Sequence, residues 1–116
     1  MGGGMGLIVN GKMIETEDLG YLLDPEEWDD DVAEHLARLE EITLTDDHWK
    51  VIRFVRAYYQ DHGMSPEVRR VIRFLVDDMG RQDAAKKHLA KLFPYGYAKQ
   101  AVKIAGLKRP RNWSIA

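Results

Sequence analysis

The stretch LTDDHWKVIRFVRAYYQDHG, residues 44–63, limits the possible folds more than any other part of the chain. Thr45 stands where an N-cap accepts from the first helical amides, and Gly63 stands where a helix ends in the left-handed region. Between them Trp49, Ile52, Val55 and Tyr59 share one face, and Val51 and Tyr58 widen it. A helix apolar over so wide an arc must be covered on several sides, so it belongs at the centre of a helical bundle.

The rest of the chain supplies the cover. LDPEEWDDDVAEHLARLE opens with Asp24 as cap, Pro25 at the first helical position and Glu27 at the capping-box spacing, which predicts one helix with the stripe Trp28, Val32, Leu36 and Leu39. SPEVRRVIRFLVDDMG predicts a helix capped by Ser65, with Pro66 first, Gly80 as its stop and Val68, Ile72, Leu75 and Met79 facing inward. DAAKKHLAKLF predicts a fourth, capped by Asp83 and burying Leu89, Leu92 and Phe93. After a turn at residues 93–96, a short fifth helix is expected over residues 97–105, stopped by Gly106. Before all of these, LIVNGKMIE predicts a hairpin on an Asn10-Gly11 type I′ turn, pairing Leu7 with Ile14 and Ile8 with Met13. A lone hairpin is marginal in water, so this one must pack on the helices. The expected class is mainly α: about five helices, an N-terminal β-hairpin and a C-terminal arm. Residues 1–6 form a flexible glycine-rich start, 7–106 one domain, and 107–116 the arm.

One domain is what 116 residues provide. The absence of cysteine excludes disulfides, thiolate metal sites and thiol chemistry. No apolar run reaches membrane-spanning length and no secretory leader pattern is present, so a cytoplasmic monomer is expected. The net charge of −2 conceals an asymmetry. Residues 1–62 carry 15 acidic and 5 basic side chains, whereas residues 63–116 carry 4 acidic and 12 basic. Such a layout steers an acidic partner to the C-terminal half, or holds the two halves together.

Few residues look equipped for side-chain chemistry. Asp29, Asp30 and Asp31 read as a solvated first turn favoured by the helix dipole rather than a metal site. His35, His48, His62 and His88 never stand three or four residues apart, and His48 follows Asp46 and Asp47 at a helix start, where local hydrogen bonding is its expected job. No phosphate loop and no Ser-His-Asp arrangement is present, so no enzyme, metal or cofactor is expected. Residues 48–79 do read as helix, turn, helix, with Arg69, Arg70 and Arg73 on the second helix. That pattern raises DNA binding as an alternative function, although two helices on a short turn are also the default unit of a bundle.

NGKMIETEDLGYLLDPEEWDDDVAE, LTDDHWKVIRFVRAYYQDHGMSP and LFPYGYAKQAVKIAGLKRP together resemble the DsrC/TusE family of sulfur-relay proteins, from about Gly11 to Pro110. The resemblance implies an orthogonal helical bundle with a hairpin and a mobile arm. It also implies a role beside dissimilatory sulfite reductase or in passing persulfide sulfur towards tRNA thiolation. The family's chemistry rests on two cysteines, and at the matching positions this chain has Val102 and Trp113. Neither can attack sulfur as a thiolate does, and Ser114 next door is a poor nucleophile without a base. The expected function is therefore that of a cysteine-free relative in sulfur metabolism. It would bind or regulate a sulfite-reductase-like or relay partner through Lys99, Lys103, Lys108, Arg109, Arg111 and Trp113, without carrying sulfur.

Overall fold

The computed structural model describes residues 5–80 and 82–109. Two strands, β1 (Met5–Val9) and β2 (Lys12–Thr16), form an antiparallel hairpin. Asn10 and Gly11 both have positive φ, as a type I′ turn requires, and the register pairs Leu7 with Ile14 and Ile8 with Met13 as expected. One face, with Val9 and Ile14, is buried against the helices. The other leaves Ile8 and Met13 more than half exposed. The ladder already begins at Met5, opposite Thr16, so the first strand takes in residues assigned by sequence to a flexible start.

Four longer helices follow: α1 (Asp30–Leu39), α2 (Asp46–His62), α3 (Val68–Met79) and α4 (Gln82–Leu92). A single π-type turn over Tyr97–Ala101 then runs into the short α5 (Val102–Ile104). α2 is the central helix, with Val51, Ile52 and Val55 fully buried, and it is bounded by Thr45 and a left-handed Gly63 as its sequence predicts. His48 completes the cap. Its main-chain amide donates to Thr45 Oγ1, and its Nδ1 accepts from the Thr45 amide at 3.1 Å.

Three helix starts differ from their expected places. The helix expected from Pro25 is broken in two. Asp24 caps only a 3-10 turn over Pro25–Glu27, Trp28 is extended, and Asp29 caps α1 by accepting from the Val32 amide at 2.9 Å. Two competent caps in tandem permit the break, and tertiary contacts of Trp28 use it. Trp28 thus leaves the α1 stripe, which is Val32, Ala33, Leu36 and Ala37, while Leu39 is mostly exposed. α3 starts at Val68 without a side-chain cap, because Pro66 is buried and its carbonyl accepts from the Tyr97 hydroxyl at 2.5 Å. Its most buried residues are Val71 and Leu75, with Val68 and Ile72 half-buried beside them. Asp83 lies inside the first turn of α4 rather than ahead of it.

The C-terminal boundary also shifts. Gly106, at φ +74°, donates to the Lys103 carbonyl, and Leu107 donates to the Val102 carbonyl at 3.2 Å. This pair of bonds is a Schellman motif, which turns the residue after the glycine back onto the helix. Leu107 is consequently 1% exposed and belongs to the core, so the arm starts at Lys108.

Candidate functional site

The place where the arm leaves the body is held by side chains from distant parts of the chain. Trp28 Nε1 donates to the Ile104 carbonyl at 2.8 Å. The Arg56 guanidinium donates to the Ala105 carbonyl at 2.8 Å and the Pro25 carbonyl at 3.3 Å, and it stacks over the Trp28 ring at 4.2 Å. The Tyr21 hydroxyl donates to the Ala98 carbonyl at 2.8 Å. Carbonyls near a helix C-terminus lack intrahelical partners, and two remote donors, Trp28 and the charged Arg56, satisfy such groups here, while Tyr21 ties down the start of the π turn. Gly106 lies under Trp28, where an added Cβ would fall within 2.8 Å of the tryptophan Cβ and closer still to the ring. Only glycine fits there, and only glycine takes the left-handed conformation without strain.

A polar chain ties the π turn to α1. Gln100 is buried; its Oε1 accepts from the Tyr95 amide at 2.9 Å and its Nε2 donates to Glu40 Oε1 at 3.1 Å. The other Glu40 oxygen accepts from Lys103 Nζ at 3.5 Å, and that ammonium lies over the Tyr21 ring. Burial, with the Glu17 charge adding to it, pushes the Tyr21 phenol up to about 12. Burial also raises the Tyr97 phenol, so both hydroxyls act as fixed donors at neutral pH. His48 Nε2 donates to the Leu92 carbonyl at 2.9 Å, locking α2 to the end of α4 in the tautomer that leaves Nδ1 free to accept from Thr45. Burial lowers its pKa, against smaller raising effects of the Leu92 bond and Asp47.

The first arm residues fold back towards the loop after β2. Arg109 bonds Glu17 and reaches Asp18 at 3.5 Å. Partial burial raises the Glu17 carboxyl, but bonds from Arg109 and from the Leu19 and Tyr21 amides outweigh it and leave the pKa below the usual value. A cleft of about 410 Å³ opens between this pair and Leu22, Leu23 and Lys108.

The family model of DsrC-like proteins matches residues 8–113. A sulfurtransferase TusE homolog of Haemophilus influenzae is 44% identical over 104 residues, covering 90% of this chain and 95% of the relative. The sulfurtransferase TusE of Escherichia coli K12 is 41% identical over 104 residues, with the same coverage. The chain belongs to the DsrC family. Its fold matches the oxidized gamma-subunit of the dissimilatory sulfite reductase (DsrC) of Archaeoglobus fulgidus with a TM-score of 0.82 and 40% identity, over 91% of this chain and 96% of that one. DsrC of Allochromatium vinosum gives the same TM-score at 36% identity, over 92% and 96%.

Within this family fold, Val102, at the inner cysteine position implied by the resemblance, is 0% exposed. Its side chain belongs to the core, where α5 packs against α1 and α2. The basic residues expected to serve the arm divide into two groups. Lys99 and Lys108 are exposed. Lys103, part-buried, pairs with Glu40, and Arg109, at the surface, pairs with Glu17 and Asp18. Arg111 and Trp113 lie outside the described residues. On α3, Arg69 pairs with Glu67 at 3.2 Å, Arg70 lies over the Tyr58 ring, and Arg73 is exposed. Among the described residues no helix is long and apolar enough to cross a membrane.

Tyr21, Trp28, Glu40, Arg56 and Gln100 were not expected from sequence to shape the site. Trp28 reads there as one more core residue. Nothing local marks Tyr21, Glu40 and Arg56, whose side-chain hydrogen-bond partners named above lie 31 to 77 positions away, and of the two partners of Gln100 only Tyr95, five residues before it, is near. Local hydrogen bonding by His48 was legible from its place at a helix start, but its partners there, Thr45 three residues off and Leu92 forty-four residues off, were not.

Proposed function

We propose that this chain is a non-carrying member of its family. It would bind, and through binding regulate, a protein partner of sulfur metabolism without taking persulfide sulfur onto itself. The observation that supports this reading most is the pairing of a fully anchored arm root with a sealed Val102. Persulfide formation needs a thiolate that attacks a sulfur atom and retains it, and release needs a second thiol to exchange with it. The chain has no sulfur nucleophile of this kind, since it has no cysteine. The donors from Trp28 and Arg56 nevertheless hold the arm's point of departure, which fits a role in presenting the arm rather than in chemistry on it.

The names of the relatives indicate the partner class: sulfurtransferases on one side, and a subunit of dissimilatory sulfite reductase on the other. The proposed partner is a sulfite-reductase-type enzyme or a relay protein of the cytoplasm, met by a monomer of this chain. Lys99, Lys108, Arg111 and Trp113 supply the contact, with Lys103 and Arg109 as structural anchors at its base. Duplex DNA on Arg69, Arg70 and Arg73 gains no supporting observation.

Truncation after Leu107 tests the reading. It removes the arm but leaves the Schellman turn and the core. Binding of the full chain to a purified sulfite-reductase-type enzyme and to a purified relay sulfurtransferase is measured by calorimetry. Saturable binding to one of them is expected, lost on truncation, with the melting temperature almost unchanged. Full retention of binding by the truncated chain, or no binding of the full chain to either protein, contradicts the proposal.

A further inference from the structure

A second surface lies on the α3–α4 pair and is independent of the arm. α3 closes on Gly80 and α4 starts at Gln82, and the two helices run side by side with the start of α3 next to the end of α4. Between those two ends is a groove with about 210 Å³ of free space. Its floor is Val68 and Ile72 from α3, Leu89 from α4 and Phe93 just beyond the end of α4. Val68 and Ile72 are only half-buried, although they are one turn apart on the same row. The row one step round on the core side holds the fully buried Val71 and Leu75, and the row one step round on the other side holds the exposed Arg69 and Arg73. On α4 the outer wall is Lys86 and Ala90, both exposed. The groove therefore has an apolar floor and a cationic rim on both sides. At its end the turn presents Tyr95, 77% exposed.

The charge is confined to this end of the helix pair. Residues 67–75 and 86–93 carry six basic side chains and one acidic one, Glu67, which Arg69 already pairs. Residues 76–85, at the turn end, carry three acidic and one basic. A half-exposed apolar row between two helices is the seat of a third helix in ordinary helix packing, and an amphipathic partner helix fills such a groove with residues spaced three and four apart. The positive rim selects the polar side of that helix. We infer that the groove binds an acidic amphipathic helix of a partner protein, with one large apolar side chain seated over Ile72 and Phe93 and carboxylates facing Lys86, Arg69 and Arg73. A nucleic acid would use the same rim. It would leave the apolar floor and the slot between the helices without an occupant, whereas a helix with leucine-like side chains uses both. Exposed aromatics such as Tyr95 are frequent anchors at protein interfaces.

The inference stands apart from the arm-based proposal, and its test leaves the arm intact. A short fluorescein-labelled helical peptide is used, with Leu at the i, i+3, i+4 and i+7 positions and Glu elsewhere. Its counterpart has Lys in place of every Glu, and a labelled DNA duplex is the third probe. Anisotropy titrations of the full chain are expected to show saturable binding of the Leu/Glu peptide and none of the Leu/Lys peptide. Ala90→Trp, which plugs the groove from an exposed position, is expected to weaken binding about tenfold or more, the size of a single interface anchor. The double variant Lys86→Glu/Arg73→Glu changes only exposed residues and is expected to weaken binding to the same degree. Circular dichroism verifies that both variants are folded, and the charge reversal decides the matter if Ala90→Trp is not. Absence of binding by the Leu/Glu peptide, equal binding of the two peptides, undiminished binding by the folded variants, or tighter binding of the duplex would each overturn the inference.

Discussion

The arm root and the open end of the α3–α4 pair are both rich in basic residues and use them in opposite ways. At the arm root Arg56 and Lys103 are part-buried, and each is committed to acceptors of the chain itself: the Ala105 and Pro25 carbonyls, and Glu40. At the α3–α4 end Arg73 and Lys86 stand in water beside an apolar floor. Charge in the first region builds the fold. Charge in the second can face something else. Basic residues counted along a sequence do not distinguish the two, because the difference lies in what the fold brings within reach of each guanidinium or ammonium.

If that contrast holds, substitutions at the arm root should destabilise the chain and matching ones elsewhere should not. The largest effect is expected from Gly106→Ala. It combines left-handed strain with overlap on Trp28, together about 2–5 kcal/mol. Gly80→Ala is the control. Its φ of +82° is similar, but a Cβ there meets nothing within 4 Å, so the loss is about 1–2 kcal/mol. Thermal melts compare the two, and equal losses would show that Trp28 does not clamp the arm root.

Next in size is Arg56→Met. It keeps much of the apolar stem but leaves two carbonyls without their charged donor, for an expected loss of about 2–3 kcal/mol. Arg73→Met, on the exposed face of α3, is expected to stay within about 0.5 kcal/mol of the parent. Urea unfolding measures both, and a costly Arg73→Met with a harmless Arg56→Met would reverse the comparison.

The three glycine stops, Gly63, Gly80 and Gly106, and the hairpin register were legible in the sequence, because each rests on residues within a few positions of one another. The helix starts were less so. Asp24 and Asp29 are both good caps, and choosing between them depends on Trp28 reaching the Ile104 carbonyl, a contact 76 residues away in the chain. Ser65-Pro66 has the look of a helix start, but the Tyr97 hydroxyl takes the proline carbonyl and the helix begins later. Leu107 looked like the first residue of an arm, because the Schellman bonds that bury it are not visible as periodicity. Of the site itself, the basic residues could be listed from sequence, but their sorting into anchors and exposed charges could not.

The smallest effect concerns pH and His48. Burial favours its neutral form in the folded state, so its pKa lies below the ordinary value of 6.5. Above that value both the folded and the unfolded states hold the neutral ring, and the full stability is present. As pH falls through it, the unfolded chain takes up the proton first, and stability declines until the folded-state pKa is passed. Denaturant unfolding across this window is expected to show that decline in the parent and a flatter profile in His48→Asn. Identical profiles would remove His48 from the account of how α2 is tied to α4.

The most direct measurement concerns sulfur itself. The full chain is incubated with polysulfide or a low-molecular-weight persulfide, and its intact mass is recorded before and after a phosphine reductant. Two methionine oxidations add nearly the mass of one sulfur, and the chain has five methionines, but the phosphine removes persulfide sulfur under conditions that leave methionine sulfoxide in place. The expected result is no mass gain that the reductant reverses, with the arm root and the fold intact. A stoichiometric, reductant-reversible gain of one sulfur atom would contradict the central claim that this chain keeps the scaffold of a sulfur carrier without carrying sulfur.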